Sequence, residues 1–228
     1  MDEGTRDKAK QRASKRAVEV VDDGDVVGLG SGSTAEYAIR ELGKEVDAGL
    51  DITGIPVSFQ AREVAIDVGI DLTSLDETGG QVDVAVDGAD QFEGSDLIKG
   101  GGAAHAREKV VDAIAEELVI VADPTKRVDV LDYPVPVEVL PFARRTAANA
   151  IGALGGEPTL RDAGRKNGPV VTDNGNLIFD CDFGTIEEPV ALGRELASIP
   201  GVLDHGLFID LADTVYMGTD SGVEIFDV

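Results

Sequence analysis

The chain has 228 residues, 43% of them hydrophobic, and a mean hydropathy of −0.01, enough for a full core in one or two domains. Its formal net charge of −24, from 44 Asp and Glu against 20 Lys and Arg, argues against a nucleic-acid partner, because phosphate backbones are gripped by basic surfaces. No apolar run approaches the roughly 18–20 residues that span a membrane, and the single cysteine, Cys181, allows no internal disulfide, so a cytoplasmic location is expected.

The N-terminal stretch MDEGTRDKAKQRASKRAVEVV is charged and has no apolar h-region. It reads as a first amphipathic helix ending near Asp22-Asp23-Gly24, not as a secretory signal. Short apolar runs then alternate with helical patterns. DVVGLGSGS is a buried strand running into a Gly/Ser loop, TAEYAIRELGKEV a helix, DITGIPVS a second strand, FQAREVAIDVG a helix and DLTSL a short strand. VDVAVDGAD, a helix over AREKVVDAIAE and the strand ELVIVAD follow. Strands alternating with helices predict a parallel, doubly wound sheet.

After Lys126-Arg127 the rhythm changes. PVPVEVLP is a Pro-punctuated strand, and ARRTAANAIGALG is a helix closed by glycine. EPTLRDA and GPVVTDNGNLIFDCDF follow, with Asn174-Gly175 as a hairpin signal. EEPVALGRELASIPG is a helix and VLDHGLFID a final strand, giving the βαββαβ order of a ferredoxin-like unit. The tail ADTVYMGTDSGVEIFDV resumes a strand pattern and is expected to rejoin the first sheet. The expected architecture is α/β: a Rossmann-like doubly wound sheet over 1–128 plus 207–228, with an inserted ferredoxin-like α+β domain at 129–206.

Three glycine-rich loops carry the polar chemistry. In GLGSGSTAEY, Gly28, Gly30 and Ser33 lack the final glycine of a dinucleotide fingerprint, and no acid ends the next strand. The loop is either a plain helix-capping turn or a phosphate cradle built from backbone N–H groups and the hydroxyls of Ser31, Ser33 and Thr34. In AVDGADQFEG, Asp87 and Asp90 leave the carboxyl end of a buried strand, where ligands bind in open α/β sheets. They are turn formers, metal ligands or grips for sugar hydroxyls; the extra acids or His of a metal site are missing. In DLIKGGGAAHAREKV, Lys99 precedes Gly100, Gly101 and Gly102, which permit close backbone approach to a ligand. A helix beginning near Ala103 puts Glu108 more than a turn inside it, on a face shared with Ala104, Val111 and Ala115. Glu108 is then either a surface acid or a half-buried carboxylate beside Lys99, suited to proton transfer. Lys126, in DPTKRV, is a weaker candidate for a further anion contact on the same sheet edge, while His105 and His205 lack partner motifs.

Taken in order, GLGSGSTA, DGAD, KGGGAAHAREK, VADPTKRV, PVPVEVLPFA and TDNGNLIFDCDFG resemble the type A ribose-5-phosphate isomerase family over most of the chain. The resemblance implies interconversion of D-ribose 5-phosphate and D-ribulose 5-phosphate through a cis-enediolate, in the non-oxidative pentose phosphate pathway, with no metal and no cofactor. By position, Glu108 matches the family's general base and Asp87 the residue that opens the furanose ring by proton exchange. Lys99 matches the group facing the enediolate oxygen. Ser31, Gly32, Ser33 and Thr34, then Asp87, Gly88, Ala89 and Asp90, then Lys99 with Gly100–Gly102, and Lys126, match substrate contacts. The resemblance also implies a homodimer or homotetramer, working without nucleic acid or membrane. Gln91, where Glu is usual, and His105, where Leu is usual, depart from the pattern.

Two other functional classes fit the sequence less well. A sugar-phosphate sensor would carry a helix-turn-helix and a basic DNA face, for which the short segment before Gly28 leaves no room. A CoA-transferase-like enzyme would use a Glu nucleophile, and the DGAD and KGGG pair disfavours it. The acid is dispersed along the chain rather than gathered in a tail, so it reads as a solvated surface adapted to high salt, where counterions screen self-repulsion. The thermal midpoint is expected to rise from low-salt buffer to molar KCl; a higher midpoint in low salt would contradict this.

Overall fold

The computed structural model describes residues 1–228. In chain order the elements are α1 (Glu3–Ala17), β1 (Val26–Leu29), α2 (Gly32–Asp47), β2 (Thr53–Pro56), α3 (Phe59–Asp67), β3 (Asp71–Leu72) and β4 (Val82–Gly88). Then come β5 (Gln91–Glu93), β6 (Asp96–Ile98), α4 (His105–Asp112), β7 (Ala115–Ala122), β8 (Val135–Val139), α5 (Arg144–Ala153) and β9 (Glu157–Leu160). The chain ends with β10 (Leu177–Asp182), α6 (Pro189–Ala197), β11 (Val202–His205), β12 (Leu207–Phe208), β13 (Thr214–Gly218) and β14 (Val223–Asp227). Two compact units emerge: residues 1–89, 107–127 and 210–228, and residues 90–106 with 128–209.

The first unit is a seven-stranded sheet in the order β14-β13-β7-β4-β1-β2-β3. Its neighbours are parallel except β14, which runs antiparallel to β13 at the edge. Strands β4 and β7 read as near-continuous apolar runs because helices cover both faces. On one face Val27, Leu29, Val84, Val86, Val119 and Val121 pack with Ala13, Ala38, Ile39, Leu42 and Ala61 of α1, α2 and α3. On the other, Gly28 lies against α4, where an added Cβ would come within 2.6 Å of Val111 Cγ1. Local signals start the helices: Asp2 accepts the Thr5 N–H at 2.8 Å before α1, and Ser58 accepts the Ala61 N–H at 3.0 Å before α3. Strand order reverses between β1 and β4, so their carboxyl ends diverge into separate loops and leave a crevice between them.

Helix α4 is shorter than its pattern predicts. Ala103 takes a left-handed φ of 61°, which delays the helix to His105. At the other end Ala115 pairs with Val82, so the residue expected on the helical face instead opens β7. An eight-residue strand seated between β4 and β13 outweighs the helical propensity of its first residues.

The second unit contains a four-stranded sheet in the order β11-β8-β10-β9, with all pairs antiparallel. Counted within the insert, that order is fourth, first, third, second, and with α5 and α6 it forms the ferredoxin-like βαββαβ unit. Val135, Val137 and Val139 pack with Ala147, Ile151, Phe179, Cys181 and Leu196 in its core. Cys181 is fully buried, and burial followed by the negative charge of Asp180 pushes its thiol up to about 12. Glu138, also fully buried, accepts hydrogen bonds from Thr172 Oγ1 at 2.8 Å, Asn176 Nδ2 at 2.9 Å and Asn174 Nδ2 at 3.1 Å, which satisfies its charge and ties down the turn. The Asn174-Gly175 turn forms, yet the run before it bridges β10 only at Val171–Leu177.

A three-stranded sheet, β12-β6-β5, was not expected. It groups 90–106 and 207–209 with the second unit, whereas the sequence pattern assigned both to the first, because β6 pairs with β12. The run read as one final strand breaks at Gly206. There the Lys99 N–H donates to Gly206 O at 2.8 Å, and a Cβ would sit 2.2 Å from Lys99 O.

Gly218 at the end of β13 lets α1 dock directly on the sheet, since a Cβ there would lie 1.9 Å from the backbone oxygen of Ala9. Gly218→Ala is therefore expected to cost about 1–3 kcal/mol, the range for overpacking, read as a lower denaturant midpoint at unchanged slope.

Candidate active site

In the first unit the turn out of β1 is shaped by a carboxylate. Asp87, fully buried in β4, occupies the space a side chain at Gly30 would need: a Cβ there would come within 2.2 Å of Asp87 Oδ1. The Ser31 N–H donates to Asp87 Oδ1 at 3.1 Å, and the Gly88 N–H donates to the same oxygen at 2.7 Å. Gly88 closes β4 alongside Thr34, whose Cβ is 3.6 Å from the place a Gly88 Cβ would take. Thus the SGST loop and the start of DGAD, expected as separate loops, share one set of contacts, with Ala89 following directly.

Helix α2 begins at Gly32 with φ 91°, and the Ser31 side chain does not cap it. Instead Gln60 Oε1 accepts the Gly32 N–H at 2.9 Å and the Ser31 hydroxyl at 3.2 Å. The first N–H groups of a helix have no partner inside it, so those of Ser33 and Thr34 suit an anion at the positive end of a 16-residue helix. Lys10 of α1 adds a cation there, its Nζ donating to Ser33 Oγ at 3.0 Å. Lys126 closes a single 3-10 turn after β7, next to β4 in the sheet. Asp123, almost fully buried, builds that turn by accepting the Thr125 N–H at 2.9 Å and the Thr125 hydroxyl at 2.5 Å.

Glu108 is only 3% exposed. It stands in the first turn of α4, not more than a turn inside as the sequence pattern put it, because the helix starts at His105. Burial removes the surface-acid alternative for this residue.

In the second unit the KGGG stretch leaves β6. Lys99 is 2% exposed, with Nζ 5.3 Å from the centre of the Phe208 ring. Gly100 has φ 108°, and a Cβ there would lie 2.7 Å from Nδ1 of the fully buried His105. His105 is thus a packing residue against the loop. The Gly101 N–H donates to Asp90 Oδ2 at 2.7 Å, and a Cβ on Gly101 would be 2.5 Å from Asp90 Oδ1. Gly102 follows in the same turn. Gln91 points away from this contact; its Oε1 accepts the backbone N–H groups of Asp132 and Tyr133 at 2.8 and 2.9 Å. The Tyr133 hydroxyl is held above its ordinary range by burial first, then by Asp90 and Asp180, with Arg161 acting the other way. No group of three or more His, Cys, Asp or Glu side chains is arranged to hold a metal ion.

Sequence reading missed Lys10, Gln60 and Arg161. Lys10 lies 23 residues from Ser33 and Gln60 lies 28 from Gly32. Arg161 lies 60 or more from the glycines it touches. None belongs to a glycine loop, and each is recognisable only once the fold brings it there.

A family model described as ribose 5-phosphate isomerase A (phosphoriboisomerase A) matches residues 53–222. A ribose-5-phosphate isomerase A from Haloarcula marismortui is 59% identical over 225 residues, covering 99% of this chain and 98% of the relative. The solved structure of ribose 5-phosphate isomerase A from Methanocaldococcus jannaschii is 45% identical, with TM-score 0.91 over 96% of this chain and 98% of that one. A D-ribose-5-phosphate isomerase solved in complex with phospho-erythronic acid is 40% identical, with TM-score 0.95 over the full length of both chains.

Proposed function

The chain belongs to the ribose 5-phosphate isomerase A family and interconverts D-ribose 5-phosphate and D-ribulose 5-phosphate, and we infer that Glu108 is the base that carries the proton. The observation that carries this reading is a carboxylate only 3% exposed, in the first turn of the helix that follows KGGG. An aldose–ketose isomerisation needs one base that removes a proton and returns it, so a single shielded carboxylate suffices.

The steps follow from the substrate's chemistry. Ring opening moves a proton from the anomeric hydroxyl to the ring oxygen, which is O4 because O5 carries the phosphate; Asp87 is assigned this exchange. Glu108 then takes the proton from C2, and electrons flow through the C1 carbonyl to give a cis-enediolate with negative charge on O1. Lys99 is assigned to that oxygen, where a fixed positive charge shielded from water stabilises the developing anion most. Glu108 returns its proton to C1 while the O2 proton passes to O1, leaving a ketone at C2. No metal or other cofactor enters these steps.

Asp90, with the Gly100–Gly102 backbone, Gly88 and Ala89, is assigned to the sugar hydroxyls. The phosphate falls to Ser31, Gly32, Ser33 and Thr34, to Lys126, and to Lys10, whose contact with Ser33 supports adding it. Holding the phosphate away from the reacting carbons supplies binding energy that fixes C1 and C2 in place. The fully exposed Phe142 and half-exposed Leu140 in the second unit support a homodimer or homotetramer. The net charge of −24 supports an enzyme that works without nucleic acid, since a phosphate backbone needs a basic surface.

Glu108→Gln is expected to lower kcat for ribose 5-phosphate by about 10²–10⁴-fold, the usual worth of general acid–base catalysis, while sugar-phosphate binding persists. A loss of only a few-fold would remove Glu108 from this role. In the same assay EDTA should leave the wild-type rate unchanged. Gly30→Ala, whose methyl displaces Asp87, should reduce kcat by more than about tenfold, in keeping with the cost of small misplacements.

A further inference from the structure

Arg161 follows β9 and is the side chain that holds the glycine loop of the second unit in its shape. Its Nη1 donates to Gly100 O at 2.9 Å and to Gly101 O at 3.0 Å. Its other edge forms a two-point ion pair with Asp180 of β10, through Nε to Oδ2 at 2.9 Å and through Nη2 to Oδ1. The Arg161 side chain is 16% exposed and that of Asp180 33%, so the pair is partly shielded. A guanidinium suits this task because its donors are planar, rigid and permanently charged.

A peptide bond is planar and trans, so the carbonyl of one residue and the N–H of the next point in opposite directions. The peptide between Gly100 and Gly101 is therefore held at both ends: its carbonyl by Arg161, its N–H by Asp90 Oδ2 at 2.7 Å. The next peptide is held at the Gly101 carbonyl, which turns the Gly102 N–H away from the guanidinium. Gly100, at φ 108°, lies where glycine moves freely, so its neighbours rather than its own torsions must fix this turn.

We propose that Arg161, braced by Asp180, is a positioning residue for the isomerisation: it sets the Gly100–Gly101 peptide and thereby the carboxylate of Asp90. This rests on the assignment of Asp90 and the glycine loop to the substrate. Arg161 touches no reacting atom; it acts through the backbone. Without it, two carbonyls and the Asp180 carboxylate lose a charged donor, the loop samples other turns, and Asp90 loses its fixed N–H.

The test is a double-mutant cycle on the full-length protein, with kcat and KM measured for ribose 5-phosphate and the fold followed by thermal melting. Arg161→Met should lower kcat by about 10²-fold, the scale of a 1 Å misplacement, with KM within about threefold because the phosphate contacts are untouched. In an Asp90→Ala background the same change should cost less than about threefold, since residues acting as one unit are not additive. Phospho-erythronic acid, used as an inhibitor, should weaken in parallel with kcat rather than with KM. Should Arg161→Met not fold, Asp180→Asn, which keeps the shape and removes the brace, is read the same way. Additive losses, or wild-type kcat in Arg161→Met with Asp90→Ala impaired, would overturn the positioning role alone. Wild-type kcat in Asp90→Ala would instead sink the reading of the site on which it rests.

Discussion

Two carboxylates in this protein occupy space that a glycine leaves empty, and the local structure of both units depends on it. Asp87 lies where a Cβ on Gly30 would come within 2.2 Å of its oxygen, and Asp90 where one on Gly101 would come within 2.5 Å. Each carboxylate then accepts a backbone N–H from the loop it presses on, Ser31 at 3.1 Å and Gly101 at 2.7 Å. The glycines therefore work first as clearance for acids, and only through that as shapers of the two loops. A methyl at either position would displace a carboxylate, and the hydrogen bond that orients it would go too.

Around that device the units differ in how they achieve stiffness. In the first, regular structure suffices: β1 and β4 are held in a parallel sheet, and the diverging strand order presents their carboxyl ends side by side. In the second, the loop leaves a strand of three residues and has little regular structure to lean on. Side chains replace it. Arg161 takes two carbonyls, His105 fills the space beside Gly100, and the Lys99 N–H is anchored on Gly206 O. The need for buried or half-buried polar residues here follows from that shortage of backbone partners.

Much of this was legible in the sequence because the signals were local. Alternating apolar runs gave the doubly wound sheet, βαββαβ order gave the ferredoxin-like unit, and glycine loops at strand ends marked Asp87, Asp90 and Lys99. Illegible were features decided by partners far along the chain. Strands β5, β6 and β12, of three, three and two residues, are too short to show a period and exist through pairing alone. Helix α4 ended early because β4 recruited Ala115, and it started late because Ala103 adopts a left-handed turn. Glu108 could not be told from a surface acid until its burial was known, since charged neighbours Arg107 and Lys109 flank it.

Charge presents the remaining problem, because an enzyme of net charge −24 must attract an anion. Its basic residues are unevenly placed: six of the 20 lie between Arg6 and Arg16, on the helix that delivers Lys10 to Ser33. The repulsive field is a sum over dispersed, exposed acids, and salt screens it beyond about 10 Å at 0.1 M. Direct contacts are far shorter than that, and Lys99, at 2% exposure, is shielded from bulk ions. Raising the salt therefore removes more of the long-range repulsion than of the short-range attraction. An acidic surface and an anionic substrate are compatible provided the attractive charges are few, close and shielded; Lys99, at 2% exposure, has the shielding, whereas Lys10, in an exposed contact with Ser33, has only closeness to the helix end.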